Sequence, residues 1–324
     1  LYGSDAIGGV LYINPEEFAN QGQTSASFKS AYFTNTLGSL NTMGFKTSTS
    51  KFKFLVRGTY ATHSDYKTGD DERVTLSRFN ESDIKGGIRY QDSKIKTTLR
   101  YNYNQSKIGI PEEIGEQTTS KDMELPYQKI DNHVVSLDTK LFFNKSSLNV
   151  VLGYLFNDRN EFEDSMFDPA LRLKLNTYNY NVKYNLPDLG NFETLVGIQG
   201  MYQINKNFGE EILIPDATKN DFGIMATTHY HFENIGFQGG IRFDTRSIKT
   251  DQVAQVGEQE YIPQIDKNFS SFNAALGMNA NFSKTFGIRL NFSSGFRAPN
   301  LAELASNGVH EGTNRYEIGN SEFY

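Results

Sequence analysis

The chain has 324 residues with 32 basic against 38 acidic side chains, a formal net charge of −6, no Cys, no Trp and 13% aromatic residues. Without Cys it carries no disulfide framework and no thiolate site, and an acidic chain without a basic block is a poor nucleic-acid binder, so no nucleic-acid partner is expected. No apolar run approaches the ~18 residues of a transmembrane helix, and the first ten residues lack the basic-then-apolar order of a secretory signal.

The chain opens on a glycine-rich string, Leu1–Ile13, in which Val10, Leu11 and Ile13 suggest a short strand. The polar stretch Asn14–Gln23 reads as a linker. From Thr24 onward a period of two dominates. Ile95, Leu99, Tyr101 and Tyr103 oppose Lys96, Thr98, Arg100 and Asn102. Leu148, Val150, Leu152, Tyr154 and Phe156 form another apolar row, as do Ile235, Phe237, Ile241 and Phe243. Phe272, Ala274, Leu276, Met278, Ala280 and Phe282 repeat it, and so do Phe286, Ile288, Leu290, Phe292 and Phe296. Alternation of this kind puts one apolar and one polar face on each strand.

Thirteen strands are predicted, roughly over 24–34, 40–48, 52–62, 81–91, 95–106, 131–143, 147–157, 170–185, 191–205, 220–232, 235–245, 268–282 and 286–297. Many reach ten residues, the length of a tilted membrane-crossing strand rather than of the shorter soluble one. After the third strand, short links (near 91–94, 144–146, 186–190, 233–234 and 283–285) alternate with long ones (63–80, 107–130, 158–169, 206–219 and 246–267). Tight turns at one end and long loops at the other are the pattern of an outer-membrane barrel. The predicted fold class is therefore all-β, an antiparallel transmembrane β-barrel meander, with outer-membrane lipid around it.

Aromatic residues flank the short links: Phe52, Tyr90, Phe143, Tyr184, Phe192, Phe232, Phe237, Phe282 and Phe286. On a barrel they would form one interfacial girdle. The long links carry 21 acidic against 12 basic residues. Asp158, Glu161, Glu163, Asp164 and Asp168 face a single Arg159 in one of them. Such a rim attracts cations, although a solvated loop surface has the same composition. Inward-facing Lys53, Arg57, Lys96, Arg100, Arg242 and Arg289 imply a wet or plugged interior. His229 and His231 share the inward face, where they could meet a plug or bind a metal. His63 and His133 are placed at loop edges. No nucleophile–base–acid arrangement stands out among the Ser and His residues, so an enzyme is not expected.

Two motifs then carry a resemblance. Tyr2-Gly3-Ser4-Asp5-Ala6-Ile7-Gly8-Gly9-Val10 resembles the end of the plug domain of TonB-dependent outer-membrane receptors, with Gly3, Ser4, Asp5, Gly8 and Gly9 as its characteristic positions. Gly295-Phe296-Arg297-Ala298-Pro299-Asn300-Leu301 resembles the same family's barrel box, carried by Phe296, Arg297, Ala298 and Pro299. The motifs stand in family order, with all thirteen strands between them. The resemblance implies a barrel of about 22 strands filled by a plug, of which this chain would hold the plug's end and linker (1–23) and the first part of the barrel wall (24–324). Most of the plug and the segment that receives the TonB energy-coupling complex would lie elsewhere.

The function so implied is active uptake of a scarce nutrient such as a ferric siderophore, haem or a metal complex. A passive porin or structural barrel is the alternative, disfavoured by the plug-like string. No resident cofactor is expected. In haem receptors of this family a His follows the barrel box. Here His310 lies in that interval, although the second box reads Gly319-Asn320-Ser321-Glu322-Phe323, without its Pro and Leu. His310, Glu311, Glu303, Asn307 and Arg315 are the candidate ligand-binding residues, with His310 the candidate metal ligand.

Overall fold

The structure, a computed structural model, describes residues 10–111, 113–310 and 315–323, with backbone alone for 309 and 310. Thirteen strands run β1 (Thr24–Phe33), β2 (Gly38–Ser48), β3 (Phe52–His63), β4 (Phe79–Gln91), β5 (Ile95–Gly109), β6 (Tyr127–Phe142), β7 (Ser147–Phe162), β8 (Leu171–Asn185), β9 (Phe192–Asn207), β10 (Ala217–Phe232), β11 (Ile235–Thr250), β12 (Asp266–Asn281) and β13 (Gly287–Ser293). They form one sheet in chain order, each antiparallel to the next. After β13 come a short helix α1 (Leu301–Ala305) and a hairpin, β14 (Asn307–His310) with β15 (Arg315–Ile318). Among the described residues no helix is long and apolar enough to cross a membrane.

The apolar rows face outward. Phe28, Met43, Ile84, Leu99, Ile198, Ile224, Ile241, Phe272, Leu276, Leu290 and Phe292 are all exposed on the sheet's outer face. In water such a surface would be costly, at roughly 25 cal/mol per Å²; against lipid it is the stable choice. Beside the short turns Phe52, Phe143, Phe192, Phe232, Phe237, Phe282 and Phe286 are exposed on the same side, with Tyr90 and Tyr184 half-buried. Phe52 meets Tyr90 at 5.1 Å between ring centroids, and Phe282 meets Phe286 at 5.8 Å.

The strands are longer at their loop ends than the apolar pattern predicted. β6 begins at Tyr127, not 131, and β7 runs to Phe162, not 157. Beyond the membrane both faces meet water, so alternation fades while backbone pairing continues. The acidic run assigned to a loop is corrected accordingly. Asp158 and Glu161 lie inside β7, where Asp158 holds Arg172 at 2.8 Å and Lys174 at 3.8 Å, and buried Glu161 accepts from Gln128 Nε2 at 2.8 Å. His133 is likewise inside β6, bonded to the Tyr101 hydroxyl at 2.8 Å, not at a loop edge.

Two further expectations fail at the chain's ends. β13 stops at Ser293 and does not continue to Arg297. Among the described residues it pairs only with β12, so its residues gain ladder bonds on one side alone. At Val10–Ile13 there is no strand: among the described residues none pairs with it, and Leu11 and Ile13 are largely exposed. The contact with the sheet is made instead by the residues that follow.

Candidate functional site

The inner face of the sheet is defined by what the chain's first described segment touches. Glu16 reaches three cations on three adjacent strands: Lys46 on β2 at 2.7 Å, Arg57 on β3 at 2.6 Å and Lys85 on β4 at 2.9 Å. Arg57 grips both carboxylate oxygens, through Nε at 2.9 Å and Nη2 at 2.6 Å. This fork geometry is the strong form of the ion pair. The Arg57 hydrogen bonds, reinforced by Lys46 and Lys85, hold the Glu16 carboxyl far below the ordinary carboxylate range.

Phe18, two residues on, is buried between Arg89 and Arg100, whose guanidinium carbons lie 4.7 and 4.8 Å from the ring centroid. Stacked cations stabilise such a ring by about 0.5–2 kcal/mol each. Arg100 also donates to the Glu16 carbonyl at 2.9 Å, Lys46 to that of Glu17 at 2.8 Å, and the Ser48 hydroxyl to that of Ala19 at 2.8 Å. The polar linker is thus a latch fixed across β2–β5. Register carries this inner face around the sheet. Arg100, Ser136, Gly153, Asn179, Met201, Asp221 and Arg246 pair in one row. Arg246 binds Asp221 at 2.8 Å, and Arg242 binds Asp244 at 2.6 Å. His229, Gln238 and Arg289 lie on this same face by strand pairing.

At the long-loop end two bodies are built. In the first, Asp65 and Arg78 are both fully buried and paired at 2.9 Å. Arg78 also reaches the Asp122 carbonyl at 3.1 Å and Glu124 at 3.3 Å, and Arg73 donates to the Asp65 carbonyl. Thr75 Oγ1 accepts from the Gly115 and Glu116 amides at 3.1 and 2.8 Å. These bonds tie the link after β3 to the link after β5.

In the second body the barrel box does the building. Arg297 forks Glu303 at 3.0 and 2.7 Å. Asn300 caps α1, accepting from the Glu303 amide at 2.8 Å, while Glu303 accepts from the Asn300 amide at 2.9 Å. This reciprocal box satisfies amides that a helix start leaves open. Ala298 is fully buried beneath it, with Phe296 and Pro299 half-buried. Leu304 and Ala305 complete an apolar cluster with Ile248, Ile262 and Ile265. Because Ile248 shares the face of Arg246 and Asp244, α1 packs over the inner side of the rim.

Of the candidate ligand residues, Glu303 and Asn307 are built into this second body. Glu303 is committed to Arg297 and to the cap. Asn307 donates to the carbonyls of Gln259 and Tyr261 at 2.9 and 3.0 Å and accepts from the Tyr316 hydroxyl at 2.8 Å. Arg315 is exposed on β15, opposite His310 in register. Glu311 lies outside the described residues, as do Gly3, Ser4, Asp5, Gly8 and Gly9 of the plug-like string. Among the described residues no group of three or more His, Asp or Glu side chains could hold a metal ion. The Glu16 latch was missed in the sequence. Its signal was an isolated acidic pair, Glu16-Glu17, in a linker beside a wall of inward bases.

A meander of long strands with lipid-facing apolar rows, a polar interior and loops gathered at one end defines an outer-membrane β-barrel protein. Residues 10–323 match the family model "TonB dependent receptor-like, beta-barrel", and the chain belongs to that family. No curated protein sequence matches it. Among solved structures the chain is similar to the copper transporter OprC (TM-score 0.72, 13% identity, covering 91% of this chain and 50% of that one). It is similar to the FrpB iron transporter from Neisseria meningitidis (0.69, 15%, 86% and 47%). The Serratia marcescens hemophore receptor HasR, solved with its hemophore HasA and heme, gives 0.68 at 12% identity, with 93% and 49% covered. The chain spans about half the length of these structures.

Proposed function

We propose that this chain is the first part of the wall, with the end of the plug, of an energy-coupled receptor that imports a scarce nutrient across the outer membrane. Residues 1–23 end the plug and link it to the wall, which 24–324 begin. The observation that carries the reading is the latch: a pore left open for passive diffusion has no use for a linker fixed to four strands of its inner face. Two edges support the view that further strands complete the barrel. Among the described residues β1 and β13 each pair on one side only, and unpaired backbone is expensive in lipid.

In this reading the long-loop bodies receive the ligand outside. The plug moves when the TonB complex pulls on its far end, and the latch holds its near end in place. The ligand is a ferric siderophore, haem or a metal complex, in keeping with structural neighbours described as an iron transporter, a copper transporter and a siderophore receptor. His310 and Arg315, with Glu311, are the residues proposed to meet it, and Glu303 and Asn307 hold the segment that presents them. The test is growth of a strain carrying the full-length protein or its deletion under iron, zinc or haem limitation, repeated with His310→Ala at matched expression. Loss of growth on one source identifies the ligand. Identical growth of deletion and parent on all three refutes nutrient import of this class, and unchanged uptake by His310→Ala removes His310 from the site.

A further inference from the structure

Far from the latch and from α1, the inner face carries a second built feature beside the short turns that join β10 to β11 and β12 to β13. It is an open depression of about 220 Å³ whose polar side chains, all exposed, come from four strands: His229 and His231 on β10, Gln238 on β11, Asn279 on β12, and Arg289 and Asn291 on β13. Its floor depends on two glycines. A Cβ at Gly236 would run into the Asn279 amide oxygen, and one at Gly277 would come within 2.6 Å of the Asn291 amide oxygen and also strike Gln238 Nε2. With no side chain at either position the three amides lie down on the sheet, where Gln238 donates to Asn291 at 3.0 Å.

Arg289 puts a positive charge on the rim, and among the described residues no acid lines it. Other inward arginines have partners: Arg57 has Glu16, Arg242 has Asp244, Arg246 has Asp221, and Arg89 and Arg100 stack on Phe18. Among the described residues Arg289 has no carboxylate, carbonyl or ring partner, and neither imidazole has a hydrogen-bond partner. Glu193 faces His229 across β9 and β10 but does not line the depression. A guanidinium fork beside amide and imidazole N–H donors is a donor set that suits a planar or tetrahedral oxyanion, with Glu193 opposite His229 as the one carboxylate in register with it among the described residues. A cation would meet Arg289 at close range.

We propose that this depression is a binding site for a small carboxylate- or phosphate-bearing anion, placed at the short-turn end of the lumen. Arg289 supplies the fork, His229 and His231 the opposite wall, and Asn279 and Gln238 the floor. The proposal deepens the transport reading, since it gives anionic cargo a resting place near the lumen's inner end. It is read by direct binding, so failed uptake and failed binding are separate outcomes.

The experiment titrates detergent-purified full-length protein with citrate, with inorganic phosphate and with zinc chloride, followed by calorimetry. Citrate binding with weaker phosphate binding assigns the site to carboxylate cargo; the reverse order assigns it to free phosphate. Either anion should lose at least tenfold in affinity in Arg289→Gln, and again in the His229→Gln/His231→Gln pair, while Arg289→Lys retains part of it. The two variants alter different strands, so a folding defect in one leaves the other to decide. No anion binding by the parent, binding unchanged in both variants, or zinc binding alone through the two imidazoles would each overturn the proposal.

Discussion

Replacing Glu16 by Gln removes the charge from the latch and keeps its shape. In the parent, one carboxylate accepts from Arg57 at 2.6 and 2.9 Å and pairs with Lys46 at 2.7 Å and Lys85 at 2.9 Å. Its removal leaves three cations crowded on adjacent strands. A fully buried pair broken from one side costs about 3–5 kcal/mol. Glu16 keeps 17% of its side-chain exposure and its partners 22–40%, and solvent screening lowers that figure. An expected loss of about 2 kcal/mol follows, close to that of one strong charged hydrogen bond.

If segment 14–23 opens locally, its amide exchange should accelerate by roughly 30-fold in Glu16→Gln, since each ~1.4 kcal/mol is a factor of ten. Hydrogen-exchange mass spectrometry on the full-length protein reads this directly. Arg57→Gln should match it, and Lys85→Gln, whose side chain is the most exposed of the three, should do less. The pH dependence has a definite sign. The folded carboxyl titrates well below its ordinary range because of Arg57 first and the two lysines after it. Its contribution is therefore complete above the ordinary carboxylate range and is lost only as pH falls toward the depressed value. Lowering pH from 7 to 5 should leave the latch closed. A change below threefold in Glu16→Gln, or release of the segment near pH 5, would refute the reasoning.

Asp65→Asn leaves the fully buried Arg78 without its main counter-charge, a loss of about 3–5 kcal/mol. Limited proteolysis should then cut within 64–78, whereas a paired Asp65→Leu/Arg78→Met change should resist far better. Asn300→Ala removes the cap of α1 at a cost of about 1 kcal/mol, which faster amide exchange over 301–306 would report. Ile241→Arg places a charge on the lipid face, where Ile241 is exposed. The cost there is about 2–4 kcal/mol near the membrane midplane, visible as reduced heat-modifiable barrel in outer-membrane fractions, while the outward but terminal Phe232→Arg should cost less.

Period-two alternation was enough to find thirteen strands and their lipid-facing rows, though not all of their ends. Each strand of such a barrel declares its two faces locally, and a strand joined by a tight turn pairs with its neighbour. Link lengths were likewise enough to separate the two ends. The Arg297–Pro299 box was visible as a motif, but its work was not. Arg297 and Glu303 stand six residues apart, and only the turn at Pro299 and the cap at Asn300 bring them to 2.7 Å.

Other features depended on neighbours distant in sequence. The strand ends at Tyr127 and Phe162 rest on backbone pairing that continues where polarity no longer alternates. The latch joins Glu16 to Lys46, Arg57 and Lys85, residues 30 to 69 positions away, and no local pattern marks which inward base an acid will choose. The same holds for the depression around Arg289. Its amides fold down because Gly236 and Gly277 face them from β11 and β12, a coincidence that exists only once the register is set. Local chemistry decides which way a side chain points; the pairing of distant strands decides what it finds there.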